Sequence, residues 1–119
     1  MMAVGLLVPA LLAAAPAVAP QRGDARNGHE LYLEKCVLCH GDRGEGWDWT
    51  KKVAKPPVPV PDLATVAPGR SDQFLFDVIK GGGEAVGKTR FMPPFDFQLS
   101  EQEIWDLVRY VRLLGRTGR

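Results

Sequence analysis

Soft and imidazole donors are scarce in this chain of 119 residues, which holds two cysteines, two histidines and three methionines. That scarcity excludes several chemistries. A tetrahedral zinc site needs four ligands, and Cys36, Cys39, His29 and His40 are the whole cysteine and histidine supply. His29 also lies only seven residues before Cys36, too close for ordinary zinc-finger spacing. A thioredoxin-like redox pair belongs to a βαβ pattern, and neither strand alternation nor any internal repeat stands out here. The net charge of +1 gives no bulk electrostatic case for a nucleic-acid partner. Residues 3–19 carry no charge, yet Pro9 and Pro16 break the run and argue against a spanning helix.

What is present is concentrated in Cys36-Val37-Leu38-Cys39-His40. Read as a helical turn, this stretch puts the two thiols on one face, with the imidazole directly behind the second. Two thiols at that separation can each add to one of the two vinyl groups on an edge of a protoporphyrin. The following histidine is then carried under the ring, where a neutral nitrogen can bind iron. C-x-x-C-H is therefore read as the attachment site of one covalent haem c, held through Cys36 and Cys39. In a chain with room for one small domain, an apolar macrocycle also supplies buried area that side chains alone would struggle to provide.

The Ala-, Leu- and Val-rich start is read as a signal peptide within residues 1–19, with the domain proper over 20–119. Small residues permit cleavage after Ala17 or Ala19, the first being preferred because Pro20 makes a poor amino terminus. Only Met1 and Met2 precede the apolar run, so the usual Lys or Arg is missing. Either the true start lies upstream or the amino terminus supplies the charge, and an uncleaved segment would serve as a tether. Export to the periplasm agrees with the cysteines, whose conversion to thioethers spares them from pairing in an oxidising compartment.

Three helices are predicted. Asp24 caps the first, Ala25–Cys36, in which Gly28 costs about 1 kcal/mol relative to alanine and so suggests the close approach of another backbone. Ser71 or Asp72 caps the second, Gln73–Lys80, which Gly81-Gly82-Gly83 ends. Ser100 and Glu103 form a capping box for the third, which runs to about Leu114 with Ile104, Leu107, Val108 and Val111 as its apolar stripe. No periodicity survives from Gly41 to Arg70, a length tolerable only if the loop wraps a cofactor. In it, Trp47 and Trp49 are candidates to set an indole N–H beside a haem propionate, with plain burial as the alternative. A carbonyl near Lys55 to Pro57 is a candidate acceptor for the second ring N–H of His40.

For the second axial position, Met92 is the only methionine outside the leader, and its distance along the chain from His40 is ample to cross the ring. His29 is too near the motif to reach the other face. Pro93 and Pro94 stiffen the backbone around Met92, and Phe91, Phe95 and Phe97 can exclude water from its sulfur. His40 and Met92 are thus the expected iron ligands, with Phe91 and Pro93 beside them. A neutral thioether opposite a neutral imidazole favours Fe(II).

With these residues assembled, the chain resembles the small monohaem class I cytochromes c of bacteria. The resemblance spans most of residues 24–115. It is carried by Gly28 and Tyr32 ahead of Cys36-Val37-Leu38-Cys39-His40-Gly41, by Pro61-Asp62-Leu63, by Met92-Pro93-Pro94-Phe95, and by Leu99-Ser100 before Ile104-Trp105-Asp106-Leu107-Val108-Arg109-Tyr110-Val111. It implies an all-α fold of three main helices and long loops around one haem, with the first and last helices crossing at a glycine and Gly28 and Tyr32 meeting Leu107 and Tyr110. It implies a monomeric one-electron carrier rather than an enzyme, serving a dehydrogenase, a bc-type complex or an oxidase. Lys51, Lys52, Lys55, Lys88 and Arg90 are placed to flank the haem edge, either as a docking ring or as ordinary surface. Two other functions stay open: a permanent haem subunit of a larger oxidoreductase complex, and a haem peroxidase or gas-binding protein. The last is disfavoured because no distal His or Arg arrangement can be placed.

Overall fold

The computed structural model describes residues 22–47, residue 50 and residues 55–116, and among them every regular element is helical. Helix α1 spans Ala25–Lys35, the one-turn α2 spans Val37–His40, α3 spans Leu63–Val66, α4 spans Asp72–Gly81 and α5 spans Glu101–Leu114. Short 3-10 turns at Ala67–Gly69 and Gly83–Val86 follow α3 and α4. The predicted signal segment, residues 1–19, and Trp49, Lys51 and Lys52 lie outside the described residues.

The three main helices start where side chains satisfy their first free N–H groups. The Asp24 carboxylate accepts from Arg26 N–H at 2.8 Å and the Ser71 hydroxyl accepts from Phe74 N–H at 3.0 Å. Ser71 rather than Asp72 is therefore the cap of α4. At α5 the capping box closes in both directions, Glu103 N–H to Ser100 at 3.2 Å and Ser100 N–H to the Glu103 carboxylate at 2.7 Å. Each such cap is worth about 1 kcal/mol.

The fold is organised by the packing of α1 on α5. A Cβ on Gly28 would lie 2.0 Å from the Asp106 carbonyl oxygen and 2.9 Å from Tyr110 Cβ, so only glycine lets the two backbones approach. One turn later Tyr32 is fully buried, its ring centroid 5.1 Å from that of Tyr110. Ile104, Leu107, Val108 and Val111 of α5 are all buried, as their spacing predicts, and join Leu75, Phe76 and Ile79 of α4 in one core.

Asp106 is buried at this crossing although an acid in mid-helix reads as a solvent-facing residue. Its carboxylate accepts from Asp24 N–H and the Asn27 amide, both at 2.7 Å, and from the Gln102 amide at 3.0 Å. Burial pushes its pKa up, but the bonds from Asn27, Asp24 and Gln102 outweigh it and hold the carboxyl below the usual carboxylate range. The folded value thus lies below the unfolded one, about 3.9. The stabilisation is complete above the unfolded value and is lost as pH falls through the folded one. We expect Asp106→Ala to cost about 1–3 kcal/mol at neutral pH by orphaning those donors. Denaturant midpoints of parent and variant should converge as the pH is lowered through this range, and a gap that stays constant would remove the charge from the explanation.

The stretch from Gly41 to Arg70 departs from the prediction, because α3 and the 3-10 turn give it regular structure. Asp62 caps α3 through Thr65 N–H, and Leu63 N–H donates to the Gly44 carbonyl at 2.7 Å. From α5, Arg112 bonds Asp72 at 2.6 Å and donates to the carbonyls of Ala67 and Arg70. Tertiary bonds of this kind leave no periodicity in a segment so short.

Candidate haem site

One wall of the site is built by the junction of α1 and α2. Cys36 ends α1, its N–H donating to the Tyr32 carbonyl at 2.9 Å, and its own carbonyl accepts from Cys39 N–H at 3.2 Å and His40 N–H at 2.9 Å. The motif is thereby wound into one turn, with Cys36 half-buried and Cys39 exposed. The Tyr32 hydroxyl donates to the Gly41 carbonyl at 2.6 Å and pins the exit of that turn. Burial above all pushes the Tyr32 pKa upward and keeps the phenol protonated for that bond.

A second wall is the arm that follows α4. Phe95 N–H donates to the carbonyls of Ile79 and Lys80 at 3.0 and 3.2 Å, and Asp96 N–H donates to Lys80 at 3.1 Å. These are carbonyls that the end of a helix leaves without partners. Gly83 N–H donates to the Met92 carbonyl at 2.9 Å. Pro93 and Pro94 have no N–H to satisfy, so the arm is anchored by its flanks.

Between the walls lies a largely apolar cavity of about 460 Å³, within the roughly 300–1,000 Å³ usual for small-molecule and cofactor sites. Cys36 and His40, Val58 and Pro59 of the proline-rich loop, Val78 of α4, and Met92 all line it. A smaller hollow of about 120 Å³ shares Cys36, His40 and Met92 and adds Cys39, Phe91 and Pro93. Six of the residues singled out from sequence are thus brought together. Trp47 is not among them. It lines a separate hollow with Pro56 and Pro57, with Lys55 Nζ 5.7 Å from its ring centroid. Of the three phenylalanines expected around the Met92 sulfur only Phe95 is buried, while Phe91 is 49% and Phe97 75% exposed. Sequence reasoning missed Arg70, which lines the larger cavity with Lys88, and no carboxylate lines it among the described residues. Arg70 is also stacked on Phe74, 4.6 Å from its ring centroid, an arrangement with no sequence signature.

The donor set fits a haem. Burial lowers the His40 pKa to about 4, so the imidazole is neutral at pH 7 and offers a lone pair. Its Nδ1 is buried and has no hydrogen-bond partner among the described residues, so the expected acceptor carbonyl at Lys55 to Pro57 does not engage it. Cys36 is pushed up to about 12, first by burial and then by Cys39, with Lys35 opposing. A thiol so protonated is ill suited to disulfide exchange. No three His, Cys, Asp or Glu side chains converge among the described residues, so an iron here would need its equatorial ligands from a macrocycle.

An all-helical domain with imidazole and thioether donors lining one apolar cavity defines a c-type cytochrome of the small class I kind. The chain belongs to the family described as cytochrome c oxidase, cbb3-type, subunit III, whose model matches residues 23–111. Among solved structures it is similar to the KustC0563 c-type cytochrome, at 27% identity and a TM-score of 0.55, over 73% of this chain and 95% of that one. It is also similar to cytochrome cL from Hyphomicrobium denitrificans, at 28% identity and a TM-score of 0.54, over 74% of this chain. The chain spans less than half the length of cytochrome cL, 45%. No curated protein matches it. Haem-based electron transfer is the chemistry of this domain. No helix among the described residues is long and apolar enough to cross a membrane.

Proposed function

We propose that this protein is an exported, periplasmic one-electron carrier with one haem c attached through Cys36 and Cys39 and with His40 and Met92 as axial donors. The observation that carries the reading is that His40 and Met92, from elements far apart in sequence, line the same apolar cavity with Cys36 in its wall. Haem bound there supplies the one-electron iron couple. His40 contributes a neutral imidazole and Met92 a neutral sulfur, a pairing that favours the reduced state. Phe95 and the prolines of both loops keep water from the donors. Arg70 and Lys88 are suited to the carboxylates that a porphyrin carries.

Transfer to a partner uses the edge beside Met92, where the half-exposed Phe91 sits among Lys88 and Arg90, both exposed. An apolar centre with a cationic rim suits an acidic patch on a dehydrogenase, a bc-type complex or an oxidase. The family description favours a second reading, a permanent haem subunit of an oxidase complex. Size-exclusion chromatography of native periplasmic and gently solubilised membrane extracts separates the two. The carrier elutes as a red monomer near its own mass, whereas pigment found only in a high-mass membrane fraction would overturn the carrier reading in favour of the subunit.

A further inference from the structure

The arm bearing Met92 rests on two glycines that the sequence presents only as a helix stop. Gly82 closes α4 at a φ of 76°, in the left-handed region. Gly83 has no such φ, so conformational freedom does not explain it. Space does. A Cβ on Gly83 would lie 1.9 Å from the Thr89 carbonyl oxygen, and one on Gly82 would lie 2.8 Å from the Met92 carbonyl oxygen. Both polar groups of Gly83 also hold the arm, its N–H donating to Met92 at 2.9 Å and its carbonyl accepting from Lys88 N–H at 2.8 Å. Gly69, by contrast, has nothing within 4 Å of the position its Cβ would take.

We propose that Gly83 is a positioning residue for Met92: its missing side chain lets the segment 88–92 lie flush on the end of α4 and so sets how far the sulfur reaches into the cavity it shares with His40. The inference rests on the reading of Met92 as an axial donor. Ordinary van der Waals contact begins at 3.4 Å, so a methyl at residue 83 must move backbone, which cannot swing aside as a side chain can. Phe95 and Asp96 stay tied to Ile79 and Lys80. The displacement therefore falls on Met92 and leaves the α1–α5 crossing alone.

The test compares the haem-loaded parent with Gly83→Ala and Gly69→Ala. The readouts are the sulfur-to-iron charge-transfer band of the oxidised form, CO binding by the reduced form, and far-UV circular dichroism as a check on the fold. Gly83→Ala is expected to keep its helices and its pigment, lose the band and bind CO several-fold faster, while Gly69→Ala matches the parent. A Gly83→Ala protein with the parent's band and resistance to CO would overturn the proposal alone. Absence of the band from the parent would instead overturn the Met92 reading, and this proposal with it. Should Gly83→Ala fail to accumulate, a crystal structure of the haem-loaded parent decides: Gly83 packed against the Thr89 carbonyl with the Met92 sulfur on the iron supports the proposal, and a gap at residue 83 wide enough for a methyl overturns it.

Discussion

Met92→Ala is expected to lower the reduction potential by on the order of hundreds of millivolts, since axial-ligand identity moves haem potentials over about 0.8 V. A neutral thioether donates weakly to Fe(III) and supports Fe(II), so its loss removes the group that favours the electron. Alanine leaves the cavity wall short of a side chain and opens the coordination position to water or CO. The arm itself should stay in place, because its anchors are the backbone bonds of Phe95 and Asp96 to the end of α4 and of Gly83 to the residue 92 carbonyl. Potentiometric titration followed in the visible spectrum measures the change. An unchanged potential and spectrum would remove Met92 from the iron.

Gly28→Val is expected to have the largest effect on stability. The added Cβ would meet the Asp106 carbonyl oxygen at 2.0 Å, and Tyr110 Cβ blocks the sideways escape at 2.9 Å. Relief requires α1 and α5 to separate, which pulls the Asp106 carboxylate from Asp24 and Asn27 and opens the contact of Tyr32 with Tyr110. Overpacking a well-packed site costs about 1–3 kcal/mol, and more when backbone must move. At the upper figure the melting temperature falls by roughly 12–24 °C for a domain of this size, at about 4–8 °C per kcal/mol. Thermal denaturation followed by circular dichroism measures it, and a melting temperature within a few degrees of the parent's would mean that the crossing at Gly28 is not what organises the fold.

The features legible in the sequence are those with a local cause. Asp24, Ser71 and the Ser100–Glu103 pair mark helix starts because a side-chain oxygen reaches an N–H two or three residues on, a relation contained within one turn. The stripe of α5 and the turn through Cys36, Cys39 and His40 follow from helical spacing in the same way. What the sequence withheld depends on partners distant along the chain. Asp106 is buried because Gly28 admits α1 beside it, and α3 is held by Gly44 and the turn after it by Arg112, so neither leaves a periodic trace. Gly83 reads as punctuation until Thr89 is seen above it. Trp47 illustrates the converse, a residue of suitable chemistry in a suitable loop that lines a hollow other than the one His40 lines.

The central claim is that this cavity holds a haem joined to the chain by two thioethers. The most direct test is the intact mass of the matured protein under denaturing conditions. The account predicts the mass of the processed polypeptide plus one haem, persisting after unfolding. A mass equal to the polypeptide alone would contradict it.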